Sequence, residues 1–322
     1  MITSYLDDAE KTAFSLTCRK FYQMYPSGTS LPCENSPARE KFLCYLERDT
    51  PGVYFCHQCA MLHRWYKNWF SDYSQHGIRF YLPARSCHWR RQVGPDQYSV
   101  PYSYARIVMN AHFYGPQHGV PVKKLDRNFQ YHPQKHINCQ MKCRAQVIDS
   151  RLLLCTTTTI NHEKGDTEGL RDYVDNHCSS ICDHVSPKNP LPFTERHMFW
   201  AQPPELRAGA TGPGHFKACH KSISACTVCM MDYCIDICWK GETKGWVIVL
   251  QAYYEVGTVR SPYDWEWEVM KSVGQPEESP RWTQATAKAP GIIRQRWLSA
   301  HGKVPKLRAK WVTKHRYTAL GV

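Results

Sequence analysis

Cys56 and Cys59 bracket two residues in the run Cys56-His57-Gln58-Cys59, and His63 follows four positions later. A Cys-x2-Cys spacing presents two thiolates from one turn of chain, which is how many zinc sites begin. A second set has the same character: Cys182-Asp183-His184 and Cys226-Thr227-Val228-Cys229 together offer three sulfurs and one imidazole. Zinc takes about four such ligands in a tetrahedron, so Cys182, His184, Cys226 and Cys229 complete a site by themselves. The first set needs a fourth ligand, for which Cys87 and His88 are alternatives, and His63 itself could instead pack its own element. Cys219, Cys234 and Cys238 could substitute in the second. A sphere closed by four protein ligands leaves no position for water, so zinc is expected here as a structural ion. With 16 cysteines and 16 histidines in the chain, some short pairs also arise by chance, and buried thiols are ordinary small hydrophobes.

The motifs that usually announce an enzyme do not occur. There is no Gly-x-Ser-x-Gly, no Gly-x4-Gly-Lys-Ser/Thr, no His-Glu-x2-His and no dinucleotide glycine fingerprint. A nucleophilic Cys–His pair need only meet in space, so its sequence signature can be silent. The reading is a binding protein and not an enzyme.

The net charge of +13 belongs mainly to one segment. Residues 281–322 hold 10 Lys and Arg and no acid, leaving 31 basic against 28 acidic side chains in the rest. Arg294, Arg296, Lys306, Arg308 and Lys310, interleaved with Trp297 and Trp311, suit phosphate contact with base stacking, so nucleic acid is the alternative partner. A solvated basic tail that aids solubility is the plainer reading.

Helices are expected over Asp7–Tyr22, from Ser36-Pro37 through Leu46, over Ala60–Phe70, and over Asp166–Ile181. Tyr102–Tyr114, Ala145–Ile160, Trp246–Val256 and Tyr263–Met270 read as strands, with Asp149-Ser150 as a hairpin turn. Pro187–Pro213 reads as a proline-rich connection. The fold class is α+β, a short helical segment followed by a mixed, sheet-containing domain stapled by zinc. The expected divisions are residues 1–35, a Cys/His-rich domain over 36–280 and a basic segment over 281–322. No run reaches the roughly 18 apolar residues of a membrane span, and no signal peptide opens the chain. Reduced thiols and an intracellular address, cytoplasmic or nuclear, are therefore expected.

Leu6-Asp7-Asp8-Ala9-Glu10-Lys11-Thr12-Ala13-Phe14-Ser15-Leu16-Thr17-Cys18-Arg19-Lys20-Phe21-Tyr22 resembles the second half of a fungal F-box. That family reads there as a leucine, several polar residues, then Ala/Ser-Leu-Thr-Cys-Arg/Lys-x-Phe/Tyr. Leu46-Glu47-Arg48-Asp49, Phe55-Cys56-His57-Gln58-Cys59, Cys182-Asp183-His184 and Cys226-Thr227-Val228-Cys229 are similar, in order, to segments that follow the F-box in a group of fungal proteins. The resemblance implies that Leu6, Ala13, Leu16 and Phe21 face a Skp-family linker of a cullin ubiquitin ligase, while the rest binds a protein substrate for ubiquitination. Only Met1 to Leu6 precede the match, so an N-terminally truncated F-box is expected, without the usual Leu-Pro helix.

Overall fold

The computed structural model describes residues 5–17, 37–66, 100–178, 216–226, 230–268 and 291–302, together with residues 20, 23, 98 and 181. The fold is α+β. Helix α1 (Asp8–Ser15) opens with a capping box, in which Glu10 N donates to Asp7 Oδ1 at 2.9 Å and Asp7 N donates to Glu10 Oε2 at 3.0 Å. Helix α2 (Pro37–Asp49) starts on its proline, whose missing N–H costs nothing in a first turn. The two helices bury Ala9, Phe42 and Leu43 between them, with Phe55 of the next strand beneath. Lys41 ties them at the surface by pairing with both Asp7 and Glu10.

Strands β1 (Val53–Cys56) and β2 (Met61–Arg64) form an antiparallel hairpin. This corrects the helix expected over Ala60–Phe70 as far as Arg64. Met61, Leu62 and Trp65 have helical spacing, but Ala60 takes the left-handed conformation at φ 49°, which a helix cannot contain. The two strands then pair in register from Val53↔Arg64 to Cys56↔Met61.

Helix α3 (Tyr102–Tyr114) occupies a segment read as strand from its aromatic content. Within it, every residue from Tyr102 to Asn110 is buried, so packing on all sides stabilises the helix, with its polar Arg106 and Asn110 paired inside. Only Ile107 and Val108 are β-branched, so burial outweighs the weak strand preference. The chain after α3 returns against it at Gly119, where a Cβ would lie 1.9 Å from the Ile107 carbonyl oxygen. No other residue fits that approach.

A 3-10 turn (Val122–Leu125) leads into β3 (Arg127–Gln134), β4 (Ile137–Ile148) and β5 (Arg151–His162). The Asp149-Ser150 turn occurs as expected, with φ of 51° and 56°, the pairing of positive angles that a two-residue hairpin requires. Helix α4 (Thr167–Asn176) is capped by Asp166 and ends at Asn176, five residues before the expected Ile181, with His177 as its C-cap. Strands β6 (Cys219–Ala225), β7 (Met231–Trp239) and β8 (Trp246–Gly257) complete one antiparallel sheet in the order β3-β4-β5-β8-β7-β6. The strand expected over Tyr263–Met270 is instead a single helical turn, α5 (Trp265–Glu268). Asp264 sets it by accepting from the backbone N–H groups of Ser261 at 2.9 Å and Arg260 at 3.2 Å. The Pro187–Pro213 connection lies outside the described residues.

One face of the sheet carries Cys139, Met141, Leu154, Ile235, Leu250 and Tyr254 into the main core beneath α3 and α4. Alternate residues face the other way. There Leu153, Tyr253, Met230 and Cys234 form a smaller core with Ile293 and Trp297 of helix α6 (Ile292–Ser299). The basic segment therefore begins as part of the fold, since α6 packs on β7 and β8. Asp232, buried on β7, caps α6 from outside by accepting from Gly291 N and Arg294 N, each at 2.9 Å.

Burial pushes the Asp232 carboxyl up to about 6, against the pull of those N–H donors. In the unfolded chain it titrates near the ordinary value of 3.8. Between these two values the folded protein holds a proton that the unfolded chain has released. The stabilising contribution is therefore complete below about pH 4 and declines as pH rises through 6. Urea titrations of wild type and Asp232→Asn at pH 4 and pH 7.5 should show the wild type losing on the order of 2 kcal/mol relative to the variant. A pH-independent difference between the two would contradict this.

Candidate metal centre

The β1–β2 hairpin builds the cluster by simple strand geometry. Side chains two apart along a strand share a face, and Cys56 pairs across with Met61, so His63 projects on the same side as Cys56. The loop His57-Gln58-Cys59-Ala60 then brings Cys59 back over the strand end. The ligating atoms of Cys56, Cys59 and His63 all lie within 4.8 Å of one another, close enough to hold one metal ion. Cys56 is buried and the other two are half-buried.

Neighbouring groups fix the ligands. The His63 ring stacks on Tyr54 with centroids 5.7 Å apart and an interplanar angle of 29°. Burial lowers the His63 pKa, which favours the neutral imidazole that a metal requires. His57 points into the protein instead, against Phe55 at 4.6 Å and Tyr102 at 5.8 Å. Its Nε2 lies 3.2 Å from a Glu40 oxygen but off the line of a hydrogen bond, and neither ring nitrogen has a hydrogen-bond partner among the described residues. Burial, reinforced by Arg106, drives its pKa down to about 3 and keeps the ring uncharged.

Cys59 is disulfide-bonded, whereas Cys56 and the other described cysteines are not in disulfides. A disulfide sulfur carries no thiolate charge, so Cys59 can either remain oxidised or ligate a metal after reduction, but not both. No protein-family model, curated protein or solved structure matches this chain.

The four-ligand set is only partly visible. Cys182, His184 and Cys229 lie outside the described residues, as do Cys87 and His88. Cys226 is buried in the main core just past β6, outside any disulfide, with its N–H bonded to Met231 O at 3.0 Å. Cys234 belongs to the core on the opposite face of the sheet, so those two sulfurs do not share a site. The Cys219 and Cys238 thiols are directed to the carbonyls of Ile235 and Val247.

Of the residues assigned to linker docking, Leu6 and Ala13 are half-buried, Ala13 packing on the α1–α2 core. Leu16 is 50% exposed, and Phe21 lies outside the described residues. Of the cations assigned to nucleic acid, Arg294 is buried and Arg296 pairs with Glu255 at 2.8 Å and Asp149 at 3.1 Å. These two therefore hold α6 to the sheet. Lys306, Arg308 and Lys310 lie outside the described residues.

Sequence reading missed the most connected polar group near the metal cluster. Glu47, fully buried on α2, accepts from Arg106 Nε at 2.8 Å, Arg106 NH2 at 2.6 Å, Asn110 Nδ2 at 2.9 Å and Phe55 N at 2.8 Å. Arg106, equally buried on α3, donates also to Tyr102 Oη at 3.0 Å and to the Arg260 carbonyl. Burial opposes ionisation of Glu47, but the Arg106 guanidinium prevails and holds its pKa below the usual value. One carboxylate thus fastens α2, β1 and α3 together, one residue away from Cys56.

Proposed function

We propose that this chain is an F-box-type adaptor, whose N-terminal helices dock a Skp-family linker of a cullin ubiquitin ligase and whose sheet domain holds a protein substrate. The reading rests on the likeness of Leu6–Tyr22 to the second half of an F-box and on the packing of its described part: Ala9 packs inward with Phe42 and Leu43 of α2, while Leu16, assigned to the linker contact, is 50% exposed. The Glu47–Arg106 connection joins this unit to α3, which packs in the main core, and this suits an adaptor that presents cargo at a fixed distance from a separate transferring enzyme. In this reading zinc at Cys56, Cys59 and His63 is structural.

Co-purification of the chain with the Skp linker of its host tests the reading. The wild type should retain the linker and Leu16→Asp should lose it, because a charge placed in an apolar contact must be desolvated without a partner. Leu16 is exposed, so the variant should keep the wild-type melting temperature. A folded wild-type chain that leaves the linker unbound overturns the assignment.

A further inference from the structure

Among the described residues, α6 covers part of the sheet face opposite the main core. Beside that helix lies a groove of about 480 Å³, bounded by the 3-10 turn, β4, β5, β8 and the end of α6. Its size is within the range of about 300–1,000 Å³ typical of ligand sites. We propose that this groove binds single-stranded nucleic acid, an activity separate from linker docking.

Charge is the first argument. Lys123, Lys142 and Arg144 line the groove, and Asp126 is the acid among its lining residues. Asp126 approaches Arg144 at 3.7 Å, whereas Lys123 and Lys142 form no ion pair among the described residues. Both lysines are exposed at the groove. This distinguishes them from Arg294 and Arg296, which are engaged within the fold.

The second argument is the hydrogen-bonding character of the floor. Gln146, Thr157 and Gln251 line it, and Gln251 Nε2 donates to Thr157 Oγ1 at 3.3 Å while its Oε1 accepts from the Cys234 thiol. At the rim, Gln146 Nε2 meets His301 Nε2 at 2.6 Å. Amides and hydroxyls offer donors and acceptors together, which match the mixed edges of nucleobases. The carboxylates of an acidic peptide would use donors alone.

The third argument is continuity. His301 forms part of the groove wall, and the chain passes directly from there into residues 303–322. That segment contains Lys303, Lys306, Arg308, Lys310, Lys314 and Arg316, with no acid. A polyanion in the groove would gain more than a small anion from the net positive charge of that sequence. Phosphodiester backbone supplies that repeated charge.

Fluorescence anisotropy of the full chain with labelled oligothymidylate and oligouridylate tests the proposal. The Lys123→Gln/Lys142→Gln double variant should weaken binding roughly tenfold and flatten the log–log salt dependence by about 1.4, at about 0.7 per phosphate contact on a single strand. Lys135→Gln/Lys164→Gln, away from the groove, should bind as wild type. Circular dichroism melts should coincide for all three proteins, since the substituted side chains do not support the core. The groove assignment is overturned if the first double variant binds as wild type, if only Lys306→Gln/Arg308→Gln/Lys310→Gln weakens binding, or if neither oligonucleotide binds. Displacement by polyglutamate as effective as by unlabelled oligonucleotide would replace nucleic acid with an acidic protein.

Discussion

Glu47→Ala should lower the stability of this protein by about 3–5 kcal/mol, the cost of leaving a buried cation without its counter-charge. Four donors converge on the Glu47 carboxylate, and neither it nor the Arg106 side chain reaches solvent. Removing the carboxylate strands the guanidinium together with the Phe55 N–H and the Asn110 amide. Replacing both members of the pair, as Glu47→Leu/Arg106→Met, should recover much of the loss, because two apolar groups of similar volume avoid the desolvation that the ion pair must overcome. Chemical denaturation of the two single variants and the double variant measures the coupling. A Glu47→Ala loss below about 1 kcal/mol would show that water reaches the site, contrary to the burial described.

Removing metal should have an effect of comparable size, conditional on the oxidation state of Cys59. In reduced protein, zinc bound by Cys56, Cys59 and His63 contributes its binding free energy to folding, because the unfolded chain offers no preformed site. Chelation, or Cys56→Ser, should therefore lower the melting temperature by roughly 10 °C, corresponding to several kcal/mol in a domain of this size. Oxidised protein should take up little zinc, since one of its three ligands is then held as a disulfide. Elemental analysis and thermal melts of reduced and oxidised samples read both effects. A reduced protein with no bound zinc, whose melt is indifferent to zinc and chelator, refutes the centre.

What could be read from the sequence was what local chemistry encodes. Pro37 marks the start of α2, Asp149-Ser150 turns the β4–β5 hairpin, and the β-branched and aromatic residues of Trp246–Val256 form a strand. The Cys56, Cys59 and His63 cluster was visible because its ligands come from one short stretch. Readings failed where surroundings overrule spacing. Tyr102–Tyr114 is helical because its stretch from Tyr102 to Asn110 is wholly buried, and Met61–Arg64 is a strand because Ala60 reverses the chain. The Glu47–Arg106 pair joins positions 59 apart, and nothing local to either residue announces the other. β6 and β7 escaped notice because their cysteines drew attention as ligands, whereas Cys234 simply packs in the minor core.

The order of strands in the sheet also bears on how the chain reaches its native state. β3, β4 and β5 are consecutive neighbours, and so are β6, β7 and β8; each trio can zip through short turns as a local event. The two trios meet at one seam, where Asn161 pairs with Val247 and Leu152 with Gly257, partners roughly a hundred residues apart. Closing that seam incurs the loop entropy of the intervening chain before its hydrogen bonds form, so it is the step expected to limit the folding rate. Until it closes, β5 and β8 each expose an unpaired edge, and newly made chains are then most open to joining a neighbour's strand instead of their own.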